Sequence, residues 1–202
     1  MHRRTVCLNV IPFLLWEILA SLPPASQGPP DLDRLIVALQ NENTSNGAMQ
    51  ELLRRGSDPE VRKYLVRRLP DLLNRYKGRT DGTVDDVWGN EARVAGELKI
   101  VEAAPVLARR IDMLTYLRGG GAQVYNFHER AADTALINIG PPAAPFVIEV
   151  LKHGNPLQRE IAAHVLRYIG TDVAWRALEE DLPGEKDPKV RRRIQEALDS
   201  RR

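Results

Sequence analysis

The chain of 202 residues contains a single cysteine, Cys7, few aromatic residues and almost no excess of either charge. One thiol cannot close an intramolecular disulfide, and it cannot supply the several thiolates of a structural zinc site. A formal net charge of +2 argues against a protein that binds polyanions over its whole surface. No stretch alternates apolar and polar residues for long, which disfavours a sheet protein.

Residue patterns for catalysis or for ligand binding are also missing. There is no Gly-x-Ser-x-Gly, and Gly119-Gly120-Gly121 is not followed by the Lys-Ser/Thr of a phosphate loop. The segment 81–86 lacks the ligand spacing of a calcium loop. The four histidines show no i, i+4 pairing with a carboxylate, as a zinc site on a helix requires. We therefore predict no catalytic residue, no metal and no cofactor.

A repeat is present instead. Five leucines, separated by 29, 38, 30 and 32 residues, recur at one point of a turn–helix–turn–helix pattern: Leu69, Leu98, Leu136, Leu166 and Leu198. Self-similarity at this period indicates stacked helical hairpins. The apolar residues of the stretch 156–169 form one broad stripe at helical spacing, consisting of Leu157, Ile161, Ala162, Val165, Leu166 and Ile169.

Helix starts and ends are marked in the same register. Asp58-Pro59, Asn155-Pro156 and Asp187-Pro188 each combine a good N-cap with a proline suited to the first helical position. Ile139-Gly140 and Ile169-Gly170 mark helix ends, where glycine adopts a left-handed cap easily. The predicted helix pairs are 46–56 with 59–69, 70–77 with 90–100, 103–112 with 127–139, 142–153 with 156–169, and 172–182 with 188–201. A further helix is predicted near 31–40, and the one place for a short hairpin is Leu114 to Phe127.

These motifs resemble the HEAT-like repeats, in particular the short bacterial variety first described in phycobilisome lyases. The resemblance covers roughly three-quarters of the chain and is densest from Glu129 to Leu198, with Ala-Ala-Pro starts, Ile-Gly ends and Asp-Pro-x-Val-Arg openings. It implies an all-α, right-handed α-solenoid of about five antiparallel helix pairs, armadillo-like in type, that binds other proteins. The arginines of the openings (Arg62, Arg159 and Arg191) are expected to bridge to a carboxylate in a neighbouring turn.

The first 26 residues have a different character. Met1-His2-Arg3-Arg4 is basic, Val6 to Leu22 is mostly apolar, and small residues follow, which is the layout of a secretory signal peptide. The domain prediction is thus a signal peptide over 1–26, a capping helix over 27–45 and a HEAT-like domain over 46–202. The chain is predicted to be exported, periplasmic or extracellular. The alternative is a cytoplasmic protein whose N-terminal segment packs on the stack, and membrane attachment would require an uncleaved segment.

Two groups of residues are candidates for binding. A basic run, opposed by few acidic residues, contains Arg54, Arg55, Arg62, Lys63, Arg67, Arg68 and Arg75. It is either a solvated helix face or a docking patch for an acidic surface. The second group lies in or beside the two predicted loops 78–89 and 113–126, and consists of Trp88, Tyr116, Arg118, Tyr125 and Phe127. These side chains either pin the loops or form a recognition surface.

Three functions are compatible with this pattern. The leading hypothesis is an exported, non-enzymatic adaptor that binds another protein of unknown identity. The second is a nucleic-acid-binding protein, since some HEAT-like folds grip DNA with arginines. A near-neutral chain of 27 basic and 26 acidic residues after position 26 and the export signal disfavour it. The third, a bilin-lyase-like accessory enzyme, is disfavoured by export.

Overall fold

A computed structural model describes residues 30–75, 83–84, 86–117 and 127–201. The predicted signal peptide lies outside these residues. The described chain is predominantly α-helical, as the sequence predicted, and a small three-stranded sheet interrupts it. Its helices are α1 (Pro30–Leu39), α2 (Ser45–Arg54), α3 (Pro59–Arg75), α4 (Asp86–Glu97), α5 (Ala104–Arg109), α6 (Ala131–Ile139), α7 (Ala144–His153), α8 (Pro156–Ile169), α9 (Asp172–Asp181) and α10 (Pro188–Asp199). Short 3-10 turns, Val101–Ala103 and Pro141–Ala143, precede α5 and α7.

The helices contact one another in two series. In the first, which we call the even row, α2 contacts α4, α4 contacts α6, α6 contacts α8, and α8 contacts α10. In the second, the odd row, α3 contacts α5, α5 contacts α7, and α7 contacts α9. Consecutive helices α1–α2, α3–α4, α5–α6, α7–α8 and α9–α10 pair across the chain. One continuous set of buried side chains runs from Leu32 to Ala197 between these helices.

The capping residues behave as predicted at the regular end of the chain. The Asn155 side chain accepts from the Gln158 amide, and the Gln158 side chain accepts from the Asn155 amide, forming a capping box that opens α8. Asp187 accepts from the amides of Lys189 and Val190 at the start of α10. Gly170 closes α8 in the left-handed conformation, with φ 65°. Local sequence therefore specifies these helix boundaries directly.

The first predicted helix pair, 46–56 with 59–69, is wrong because the two helices belong to different pairs. The segment 45–54 belongs to the even row and packs on α1 and α4, whereas α3 pairs with α4. The predicted break at residue 70 does not exist, because Pro70 lies inside α3. Leu69, Leu72 and Leu73 are all buried, so burial on both sides of the proline favours one continuous helix despite the lost backbone hydrogen bond.

The middle of the chain differs from the prediction as well. Helix α4 begins at Asp86 instead of residue 90, so part of the predicted loop 78–89 is helical. The predicted helix 127–139 begins only at Ala131. Three strands, β1 (Thr83–Val84), β2 (Leu114–Leu117) and β3 (Phe127–Glu129), form the sheet, with β1 parallel and β3 antiparallel to β2. The antiparallel pair occupies the ends of the stretch Leu114 to Phe127, where the sequence allowed a short hairpin although the predicted fold class was all-α. Residues 118–126 between the two strands lie outside the described residues.

Candidate interaction surfaces

Four of the seven side chains in the predicted basic patch are engaged within the molecule. Arg54 donates to Glu51, and Arg55 Nη1 lies 2.6 Å from Asp31 Oδ2 on α1. Arg62 donates to the carbonyl oxygens of Leu98 and Lys99, just beyond the C-terminus of α4. These contacts favour the interpretation of the basic run as a structural, solvated face.

Arg68 belongs to a small cluster that joins α3 to α1. Tyr64, which is buried, donates from its hydroxyl to Asp33 Oδ1. Burial, and next the bond to Asp33, raises the pKa of Tyr64 to about 12, while Arg68 acts in the opposite direction. The Arg68 Nε atom is itself buried without a hydrogen-bond partner. The cluster therefore joins α1 to α3. None of these contacts indicates a ligand site.

The rest of the basic patch is a short stripe on α3. Lys63, Arg67 and Arg75 are exposed and lie on one face at helical spacing, with the exposed Asp71 between them. Their side chains make no hydrogen bond or ion pair with another described residue. Of the seven basic side chains, Arg54 and Arg55 thus contact a carboxylate, and this stripe stays exposed.

The prediction of Trp88 as a recognition residue is wrong. Its side chain is fully buried, and its indole nitrogen donates to the carbonyl oxygen of Leu73 at 3.2 Å. Trp88 therefore anchors the start of α4 against the end of α3. Tyr116 and Phe127 lie on the paired strands β2 and β3, Tyr116 opposite His128 and Phe127 opposite Leu117. Arg118 and Tyr125 lie outside the described residues.

A different aromatic surface lies on α8, the fourth of the five helices in the even row. Tyr168 is 58% exposed and Leu157 is 45% exposed. The Tyr168 ring is tilted against the His164 ring, with 4.8 Å between centroids, and the Arg167 guanidinium carbon lies 5.6 Å from the Tyr168 centroid. We call Leu157, His164, Arg167 and Tyr168 the α8 ledge. Exposed tyrosine beside arginine is the composition most enriched at binding hot spots.

Charges of both signs surround the His164 ring of the α8 ledge. Burial lowers the pKa of His164, and Arg193, Arg167 and Arg130 lower it further, whereas the carboxylate of Asp133 on α6 raises it. Burial also raises the pKa of Asp133. Arg193 is held between Glu160 and Glu196 at 3.5 and 3.0 Å. The ledge therefore consists of aromatic rings with arginines beside them. Of the nearby carboxylates, Glu160 and Glu196 contact Arg193, and Asp133 is partly buried.

Sequence reasoning missed the α8 ledge, although one signal was present. Leu157 was placed in the buried stripe of its helix, yet the structure exposes it at the first turn. Tyr168 follows the repeat leucine Leu166 by two residues, where the neighbouring copies have the polar Asn138 and Ser200. An aromatic residue at a position that both neighbouring repeats leave polar indicates exposure.

The predicted role of the opening arginines is confirmed at Arg159. Its Nε and Nη2 atoms lie 2.9 Å from the two carboxylate oxygens of Glu185, and its Nη1 donates to the Gly154 carbonyl. The hydrogen bond from Arg159 lowers the pKa of Glu185, whose side chain is only 4% exposed. Arg62 and Arg191 reach carbonyl oxygens of the adjacent connector instead. Among these three arginines, Arg159 is therefore the one that ties its helix pair to the next pair.

A groove opens on the odd row between α5 and α7. It has a volume of about 470 Å³ and is lined mainly by Pro105, Ala108, Arg109, Phe146 and Val150, with His153 and Glu149 at its rim. A second depression, of about 220 Å³, surrounds the Arg159–Glu185 pair. Neither of these depressions contains a nucleophile next to a general base.

Further observations limit the chemistry of the described residues. They contain no group of three or more His, Cys, Asp or Glu side chains placed to hold a metal ion. No single helix among them is long and apolar enough to cross a membrane. The pair Ala131–Ile139 and Pro141–His153 meets that test only jointly, across a bend of 115°. No known protein family, curated protein or solved structure matches this chain.

Proposed function

We propose that this chain is a right-handed, HEAT-like α-solenoid without enzymatic activity, and that it binds another protein through the α8 ledge. Support for the solenoid comes from the two rows, in which each helix contacts the next helix of its own row. A neighbour-to-neighbour arrangement leaves the outer side of each row open along its whole length, as in repeat proteins that bind partners.

The observation that carries the binding proposal is the exposure of Tyr168 between His164 and Arg167. Tyrosine and arginine are among the residue types enriched at binding hot spots. Tyr168 loses little conformational entropy on binding, since only two side-chain torsions need to be ordered. Its ring is already restrained by the His164 contact at 4.8 Å, which reduces that cost further.

Export remains part of this proposal and rests on residues 1–26 alone. N-terminal sequencing of the natively expressed protein, combined with cell fractionation, tests it. A first residue near position 21 or 27 in the envelope or secreted fraction is the expected result. An intact N-terminus in the cytoplasm would contradict export and would leave the α8 ledge proposal standing.

Recovery of a partner from the native envelope or secreted fraction tests the binding surface. The chain carrying Tyr168→Ala or Arg167→Ala should lose a stoichiometric partner that the wild type recovers. Val37→Ala is a matched control, because Val37 is 68% exposed on α1, far along the chain from α8. The recovered partner is then titrated by calorimetry, where Tyr168→Ala should weaken binding about 30-fold, as for a typical hot spot. Equal affinity for Tyr168→Ala and Val37→Ala would refute the surface.

A further inference from the structure

The groove between α5 and α7 results from unequal helix lengths. Helix α5 contains six residues and ends at Arg109, whereas α7 contains ten and continues to His153. After Arg109 the chain turns and enters β2 at Leu114. The later part of α7 therefore has no full-length helical neighbour on that side, and Phe146 and Val150 are left only partly buried.

The groove combines an apolar interior with a polar rim. Pro105 and Ala108 form one wall, and Phe146 and Val150 form the other. Its volume of about 470 Å³ falls in the range of about 300 to 1,000 Å³ typical of ligand pockets. It is large enough to accept a bulky side chain together with the adjoining peptide backbone.

Two side chains of opposite charge, Glu149 and Arg109, lie at the rim and differ in their contacts. Glu149 faces His153, with 3.7 Å between Glu149 Oε2 and His153 Nε2, and this contact is an ion pair only when His153 is protonated. Arg109 is exposed, and its side chain makes no ion pair or hydrogen bond with another described residue. A partner that brings a carboxylate to Arg109 gains a charge-assisted contact without displacing an existing one.

From this geometry we propose that the groove docks a peptide segment in which a large apolar residue is followed by an acidic residue. The apolar side chain enters between Val150 and Ala108, and the carboxylate pairs with Arg109. This site lies on the odd row and does not depend on the α8 ledge. A basic segment is disfavoured by Arg109, and a polar segment would leave the apolar walls in contact with water.

Backbone-amide NMR of the full chain with small peptide probes tests the proposal. The probe is N-acetyl-Phe-Glu-amide, compared with the Phe-Gln, Phe-Lys and Gly-Glu analogues. We expect shifts at Ala108, Val150 and Gly154, and affinity for Phe-Glu about three- to fivefold above that for Phe-Gln, as for an exposed ion pair. The Phe-Lys and Gly-Glu probes should bind more weakly than either.

Two variants in the rim give opposite expectations. Arg109→Gln should abolish the preference for Phe-Glu over Phe-Gln, whereas Glu149→Gln should raise the affinity for Phe-Glu about twofold, because it removes a repulsive charge. Arg34→Gln, on the exposed side of α1, is the matched control and should change nothing. The proposal is overturned if Phe-Glu leaves the groove amides unshifted, if Gly-Glu binds equally well, or if the preference survives Arg109→Gln.

Discussion

The two halves of the described chain reach the same kind of packing by different means. From Ala131 to the C-terminus, helices follow each other through connectors of a few residues, and α8, α9 and α10 each begin with a side-chain cap. From Pro30 to Leu117, α2 and α5 begin without a side-chain cap, and the small sheet interrupts the series. Caps are not confined to the second half, because Asp58 accepts from the Glu60 amide at the start of α3, and α6 and α7 begin without a side-chain cap. The small sheet, and not capping alone, therefore distinguishes the irregular half.

The difference also concerns how neighbouring pairs are joined. In the C-terminal half the joint is an ion pair, Arg159 with the nearly buried Glu185. In the N-terminal half the corresponding arginine, Arg62, is exposed and donates only to carbonyl oxygens. A buried charge must keep its partner, whereas an exposed arginine can exchange protein acceptors for water at little cost.

Removal of Arg159 should therefore produce the largest change. Arg159→Ala leaves the Glu185 carboxylate desolvated and unpaired, and we expect the free energy of unfolding to fall by about 3 kcal/mol. Urea unfolding followed by circular dichroism measures it. Arg62→Ala, its N-terminal counterpart, should cost about 1 kcal/mol, and equal costs for the two variants would contradict the proposed difference.

The same pair has a defined pH dependence. The pKa of Glu185 lies below its ordinary value of 4.5 because Arg159 donates to it. The unfolded chain therefore binds the proton more readily, so this contribution to stability is present above about pH 4.5 and is lost as the pH falls through the lowered pKa. Arg159→Ala should flatten that acid-side loss, as urea titrations between neutral and acidic pH would show.

The joint between the two halves should be the next most sensitive place. A Cβ atom on Gly96 of α4 would lie 2.7 Å from the Ala135 Cα atom of α6, so Gly96→Ala must push the two helices apart. We expect a loss of about 2 kcal/mol in urea unfolding.

Gly47→Ala is the matched control for this substitution. Gly47 lies in α2 and has nothing within 4 Å of a built Cβ, so alanine there should stabilise the protein by about 0.5–1 kcal/mol through helix propensity. Destabilisation by both substitutions would show that close packing at Gly96 is not the cause.

The smallest expected effect separates a capped helix from an uncapped one. Asn155→Ala removes the capping box of α8 and should lower the free energy of unfolding by about 1 kcal/mol. Thr44 precedes α2 without a side-chain cap bond to it, so Thr44→Ala should cost about 0.5 kcal/mol, through the bond to the Ala38 carbonyl alone. Thermal unfolding of both variants distinguishes them, and a larger cost at Thr44 would reverse the comparison.

Part of the candidate surface could be read from the chain, and part could not. Exposure of Arg67 and Lys63 follows from helical spacing, but the pairing of Arg55 with Asp31 requires α1 to lie alongside it. Trp88 was placed in a loop because its helix has no proline or cap to announce it, and only the structure buries it against Leu73. The groove at Arg109 could not be predicted, because it depends on the relative lengths of α5 and α7.

The sequence by itself determined the predominantly helical character, the helix at Pro30–Leu39, and the caps at Asn155 and Asp187. These features depend on local hydrogen bonds and on apolar spacing within one segment. Tertiary structure decided the pairing of α3 with α4, the continuity of α3 through Pro70, and the exposure of Tyr168. Those features depend on which helix faces contact each other between segments that are distant in the chain. The Asp-Pro motif marks the start of a helix, but it does not specify the row to which that helix belongs.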